Sequence, residues 1–225
     1  MNAVVGVVGG SGGVGASQFA AVLAAVAAPC LLVDLDVAGG GLDVGLGLES
    51  VPGVRWSGLR VGGGRLEPGD LHSRVPQWGA VSVLAADCAE LDADAVRQVL
   101  DAARQAGPVI VDLPRAGGGE RGAALEQCDL VVVLARGDVA GLVAAHAVAG
   151  ALGDVSAGLV VRRGAVPTGD AARLVGRPLL GELPPLVGPG EQLVPGRLPR
   201  PASRLAAGVL HGLGGRRVAP LAGVA

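Results

Sequence analysis

The run Gly10-Ser11-Gly12-Gly13-Val14-Gly15-Ala16-Ser17 has the spacing of a phosphate-binding loop, yet all 18 residues counted as Lys+Arg are arginines. A loop of the form G-x-x-x-x-G-K-[ST] cradles phosphates with backbone N–H groups and neutralises the terminal ones with its lysine. Here Gly10, Gly15 and Ser17 meet the spacing, and Ala16 fills the lysine position. Backbone N–H groups and the N-terminus of the following helix still suit an anion. The mobile charge that phosphoryl transfer uses is missing, and no second copy of the chain can lend one. These residues predict a nucleotide-responsive protein with weak or no hydrolysis, a degenerate ATPase at most.

Two further segments carry acids where such a site needs them. Asp34-Leu35-Asp36 closes the second apolar run, and Val109–Asp112 is an acid-ended apolar run leading into Leu113 and Pro114. In a parallel sheet the ends of these strands lie on one edge, where ligands bind. Ser17 and Asp112 are therefore expected to hold Mg²⁺, with Asp34 counted among the metal residues, and Asp34 or Asp36 to orient a water. Asp36 is the candidate catalytic residue on this reading. Gly10, Gly12 and Gly15 also fit the G-x-G-x-x-G dinucleotide fingerprint, with Asp34 placed as a ribose-binding acid. That leaves an NAD(P)-dependent oxidoreductase as an alternative, although such an enzyme needs neither Ser17, Asp36 nor the Asp112 strand.

The elements that must position these residues alternate between strand and helix, the pattern of a parallel sheet with helices on both faces. Strands are expected at Val4–Val8, Leu31–Leu35, Val81–Ala85, Val109–Val111, Leu130–Leu134, Leu159–Val161 and Pro178–Leu180. Helices are expected from about Ser17 to Ala28, from Asp94 to Ala106 with Asp94 as N-cap and Gly107 beyond the end, from Asp138 to about Leu152, and around Ala202–His211. Gly39–Gly64 reads as a loop with short elements near Trp56, and the stretch after Arg162 as proline-rich turns. At 225 residues the chain predicts a single α/β domain of P-loop NTPase type, spanning 1–225.

Apolar content of 50% with 17% charge indicates a globular chain. Phe19, Trp56 and Trp78 are the whole aromatic complement, so Val, Leu and Ala must build the core. The net charge of −2 is uneven: residues 162–225 hold nine arginines against Asp170, Glu182 and Glu191, a balance of +6 that leaves −8 elsewhere. A solvated surface is the favoured account of that basic third, ahead of an acidic partner, nucleic acid or lipid. Cys30, Cys88 and Cys128 have no metal spacing and read as reduced thiols, Cys30 and Cys128 in the core. The longest apolar run, Phe19 to Val33, is too short for a membrane span and is interrupted by Pro29, and a soluble cytoplasmic protein is expected.

Other chemistry has less support. His72, His146 and His211 are scattered, and His146 falls in an apolar helix, where packing is the expected role. Asp92, Asp94 and Asp101 belong to a helix cap and its solvent face. There is no Ser-His-Asp or Cys-His grouping, and no basic patch or helix-turn-helix that would predict specific nucleic-acid binding.

The segment Val5–Ser17 resembles the deviant Walker A of the MinD/ParA superfamily, whose pattern is KGGxGK[ST]. The run LLVDLDVAGGGLDVGLGLE, ending at Glu49, resembles that family's second strand and switch segment. Val109–Pro114 is similar to its Walker B, Cys128–Leu134 to its next strand, and Gly181-Glu182-Leu183-Pro184 to its late turn. The resemblance implies ATP and Mg²⁺ as cofactors. Its nucleotide-binding positions map onto Gly10, Ser11, Gly12, Gly13, Val14, Gly15, Ala16, Ser17, Gln18, Arg162 and Pro184.

Departures from the pattern fall on charged and base-reading positions. Ser11 stands at the signature lysine that reaches across a dimer and Ala16 at the loop lysine. Arg162 replaces the asparagine that reads adenine, and an arginine lacks the paired donor and acceptor of an amide. Arg115, next after the Walker-B-like segment, is a candidate to supply part of the missing charge. Asp112-Leu113-Pro114-Arg115 and Gly39–Asp43 resemble the CpaE/TadZ-type branch. That branch implies a homodimeric protein placing or anchoring a Flp/Tad-type pilus or secretion machine, or influencing septum-site selection, recruited by partners to the inner membrane face or cell pole. Many relatives carry a receiver-like domain first; this chain opens directly at its first strand. The tail Leu213–Pro220 is interrupted by glycines and a proline and lacks the bulky apolar residues of a membrane-binding amphipathic helix, so no direct membrane insertion is expected. A non-enzymatic scaffold on a degenerate P-loop fold is the alternative from a different class.

Overall fold

The computed structural model describes residues 2–59, 66–87, 90–184 and 193–214. Uninterrupted runs of Val and Leu build β1 (Val4–Gly9), β2 (Cys30–Asp34), β4 (Val81–Leu84), β5 (Val109–Leu113), β6 (Leu130–Arg136) and β7 (Ala157–Arg162), joined by β3 (Gln77–Trp78) and β8 (Leu179–Leu183) at the two edges. They form one eight-stranded sheet in the order β3-β4-β2-β5-β1-β6-β7-β8. Every pair is parallel except β3–β4.

Strands this apolar require cover on both faces. Alternate residues of β1 enter two separate cores: Val4 and Val8 face one way, Val5 and Val7 the other. The first core is capped by α3 (Asp70–Arg74), α4 (Ala93–Ala106), α5 (Gly119–Gln127), α6 (Val139–Gly150) and α7 (Thr168–Val175). The second lies under α1 (Ala16–Ala27), α2 (Leu42–Leu46) and α8 (Arg200–Gly214). This is the expected α/β architecture, a mainly parallel sheet with helices on both faces.

Several local expectations are corrected. The N-cap of α4 is Asp92, whose carboxylate accepts from Ala95 N at 2.8 Å. The backbone is extended at Asp92 and already helical at Asp94, which instead pairs with Arg97 at 2.7 Å. The proline-rich stretch after Arg162 contains α7, and α5 begins within the glycines at 117–119, whose turn-like composition hid a helix start. Asp138 does cap α6, accepting from Gly141 N at 2.7 Å, but His146 on that helix is exposed rather than packed. Cys30 is buried as expected, Cys128 is half-buried, and Cys88 lies outside the described residues. Among the described residues no helix is long and apolar enough to cross a membrane. The tail beyond Gly214 lies outside them.

Candidate functional site at the glycine-loop cleft

The parallel sheet brings the chemistry to one edge. Asp34 ends β2 opposite Asp112 of β5, while Gly9 ends β1 between β5 and β6. From Gly9 the chain turns through the glycine loop into α1. Gly10 continues the sheet by donating to Leu134 O at 2.7 Å, and α6 approaches so closely that a Cβ there would stand 2.7 Å from the Ala145 Cα. Gly10 therefore lies beneath the loop, not on its cleft face. Gly13 and Gly15 hold the positive φ values of 68° and 94° that let the loop curl, and Gly15 is the N-cap of α1.

Above the loop opens a cleft of about 700 Å³ whose walls include Ser11, Gly12, Ser17, Gln18, Asp112 and Arg115. That volume suits a ligand of nucleotide size. Asp36 also lines it, half-buried. A smaller recess of about 80 Å³ shares Ser17, Gln18, Asp36 and Asp112 with the cleft and is closed by Leu42, Leu46 and Leu193.

The two strand-end acids differ in their bonding. Asp34 is 1% exposed and latches three segments, accepting from Asp36 N at 3.0 Å, Leu42 N at 3.2 Å and Ala86 N at 3.4 Å. Burial pushes its carboxyl up to about 6 despite those donors. Asp112 is 2% exposed, and the neighbouring Ser17 hydroxyl favours its charged form. Burial, then the neighbouring Asp34 charge, pushes Asp112 up to about 8.

Two observations bear on whether Mg²⁺ and a nucleotide fit these residues. The Ser17 hydroxyl and the Asp112 carboxylate form an all-oxygen pair of the kind a hard cation prefers. The Ser11 Oγ is buried in the loop with no hydrogen-bond partner, an orphan that an anion oxygen would satisfy. The residues present fit the group. Among the described residues no cluster of three or more His, Cys, Asp and Glu is gathered as a metal site, so phosphate and water oxygens would complete the cation's shell.

The remaining expected residues divide between two sides. Arg115 emerges beyond β5, exposed, with one guanidinium nitrogen 3.8 Å from where a Cβ on Gly12 would stand. Arg162 ends β7 and turns back onto the loop, donating to Val14 O at 3.3 Å. Val14 itself is buried, so only its backbone serves the site. Pro184 follows β8 beside Arg162, at the same sheet edge.

Sequence reasoning missed the clasp that shapes the outer wall. Arg55 Nε contacts Asp43 at 3.0 Å, and its Nη2 donates to Leu48 O at 2.7 Å, tying the segment after β2 into a closed loop. Trp56 Nε1 donates to the carbonyl of Asp34 at 2.8 Å. The indole beside an arginine in a glycine-rich stretch was the available signal. Within the basic third, Arg163 pairs with Glu182, Arg173 with Asp170, and Arg177 donates to Ala149 O.

No protein-family model matches the chain. It is 42% identical over 189 residues to the uncharacterized protein Rv3660c of Mycobacterium tuberculosis H37Rv, and equally to the version from strain CDC 1551, covering 80% of this chain and 54% of those proteins. The chain thus spans about half the length of these curated relatives. Among solved structures it superposes on a chain of the MinC:MinD cell division protein complex of Aquifex aeolicus with a TM-score of 0.71 at 18% identity, covering 96% of this chain and 97% of that one. A ParA family ATPase from Chlorobium tepidum gives 0.67 at 18% identity, covering 82% and 85%. The septum-site-determining protein MinD of Pyrococcus horikoshii, complexed with Mg-ADP, gives 0.63 at 17% identity, covering 82% of each. The chain has the MinD/ParA fold.

Proposed function

We propose that this chain binds a nucleoside triphosphate with Mg²⁺ in the cleft over Gly12–Gln18, with weak or no hydrolysis, and that the bound state controls a homodimer. The observation that carries this reading is the pairing of Ser17 and Asp112 in the wall of one cleft, beside a loop whose Ser11 Oγ is buried and unsatisfied. Loop N–H groups and the N-terminus of α1 hold the phosphates, Ser17 and Asp112 hold the cation, and Gln18 lines the wall at the start of α1. Bound Mg²⁺ supplies charge neutralisation of the phosphate oxygens. Arg115 contributes part of the charge that Ala16 cannot. Asp36 lines the cleft as the water-positioning residue if turnover survives. Pro184 bounds the nucleotide beside Arg162. The neighbour complexed with Mg-ADP supports the cofactor reading.

A homodimer is supported by α6, apolar apart from the exposed His146, which leaves Val139 and Val143 70% and 65% exposed while its Ala145 packs against Gly10 of the loop. We place the dimer in positioning work: anchoring a Flp/Tad-type pilus or secretion machine, or influencing septum-site selection, on the cytoplasmic side and recruited by partner proteins. The MinC:MinD neighbour supports a role exercised through such a partner. The second reading, a scaffold without nucleotide, is favoured only by the missing lysines.

The test is a titration with fluorescent ATP, with and without Mg²⁺, competed by unlabelled ATP, GTP and NADH. Saturable Mg-dependent binding supports the proposal. No binding at millimolar nucleotide selects the scaffold, and competition by NADH alone selects the oxidoreductase.

A further inference from the structure

The glycine loop is flanked by two guanidiniums arriving from opposite sides of β1. Arg115 comes from beyond β5, with a nitrogen 3.8 Å from the Cβ position of Gly12. Arg162 comes from the end of β7, with Nη1 3.3 Å from Val14 O and 3.9 Å from the Cβ position of Gly15. Other arginines near these strands are neutralised by carboxylates: Arg136 by Asp138, Arg163 by Glu182. Among the described residues neither Arg115 nor Arg162 has a carboxylate partner. Gly15 is also the N-cap of α1 and offers no side-chain cap, so the helix's positive end and two cations converge on one loop. Asp36 and Asp112 line the same cleft without pairing with either guanidinium; two arginines free of carboxylate partners beside a helix's positive end suit a multiply charged anion, and guanidiniums bind phosphate oxygens bidentately.

The same geometry removes a base reader. Arginine carries five donors and no acceptor, so it cannot match the adenine edge, which presents a donor beside an acceptor. With Nη1 donating to Val14 O, Arg162 is engaged on the loop backbone rather than held out from β7.

We infer that Arg162 is a phosphate-binding residue and that the site selects its ligand by the polyphosphate chain, largely indifferent to the base. The ligand class is nucleoside polyphosphates as a group, with inorganic tripolyphosphate as the minimal recognised unit. This inference rests on the nucleotide reading above.

The experiment is competition of fluorescent ATP, in Mg²⁺, by unlabelled ATP, GTP, UTP and tripolyphosphate, on the full chain and on Arg162→Ala and Arg162→Lys. The nucleotides should compete within about threefold of one another, and tripolyphosphate should displace the probe. Arg162→Ala should weaken every competitor by about tenfold, the loss of one charge-assisted contact. Arg162→Lys, which keeps the charge, should recover most of it and serves if the alanine variant fails to fold. ATP binding tenfold or more tighter than GTP overturns the inference while leaving the nucleotide reading intact. So does an Arg162→Ala variant that weakens ATP but leaves tripolyphosphate unaffected. If neither nucleotides nor tripolyphosphate bind, both readings fall.

Discussion

Asp34 and Asp112 stand side by side in the register of β2 and β5, each all but sealed from solvent, with only the Ser17 hydroxyl and three backbone N–H groups to stabilise their charge. Two buried carboxylates on adjacent strands repel one another when both ionise, and the native fold therefore holds protons that the unfolded chain releases.

The sign of the resulting pH dependence follows directly. Both carboxyls are raised in the folded state, to about 6 and about 8, above the ordinary 3.8. Their contribution to stability is present at low pH and is lost as pH rises through those values. In chelator-containing buffer the melting temperature should fall between about pH 6 and pH 8; about 1 kcal/mol corresponds to roughly 2–4 °C in a domain of this size. Asp112→Asn should flatten the profile and raise the melting temperature at pH 8. A wild-type profile already flat over this interval, followed by circular dichroism, would refute the proton-holding pair.

Gly10 serves the contact between the loop and α6. Gly10→Ala drives a Cβ against the backbone of Ala145 and should destabilise by about 1–3 kcal/mol in urea melts. Gly40→Ala, at a position with no atom within 4 Å, should change stability by less than about 0.5 kcal/mol. Equal effects from the two would remove the steric argument.

The Arg55–Asp43 clasp is only 16% and 13% exposed at its side chains, so it is less screened than a surface pair. A double-mutant cycle with Arg55→Ala and Asp43→Ala should return a coupling of about 1 kcal/mol or more. A coupling within error of zero would mean that the loop holds its shape through its backbone bonds alone.

Ala16 opens α1 and lines the cleft at the lysine position. Ala16→Lys should tighten ATP binding by about tenfold, one charge-assisted contact's worth. An unchanged affinity in the same fluorescence titration would show that the flanking arginines already saturate the need for charge.

Val143 lies on the exposed apolar flank of α6. Val143→Glu should abolish nucleotide-dependent dimerisation in analytical ultracentrifugation without lowering the melting temperature. A variant that dimerises as readily as wild type would place the interface elsewhere.

What was legible in the sequence was what local chemistry dictates. The apolar runs of β1, β2, β5 and β6 admit only buried parallel strands, and the acids at their ends must then share an edge. The elements missed were those with weak local signals. β3 is two residues long and forms only because β4 offers it an antiparallel partner. The starts of α5 and α7 are masked by glycine and proline, residues equally at home in turns.

The sequence by itself determined the fold class, the glycine loop with its missing lysine, and the placement of Ser17, Asp34, Asp36 and Asp112 at one sheet edge, because each depends on composition and spacing within short segments. Only the tertiary structure decided where the long side chains go. Arg162 folding onto Val14 and Asp34 latching Ala86 depend on crossovers that bring distant segments within hydrogen-bond reach, and Arg55 clasping Asp43 depends on how the segment after β2 folds back on itself. No local pattern encodes that reach, because a flexible guanidinium or a buried carboxylate takes its partner from the packing around it.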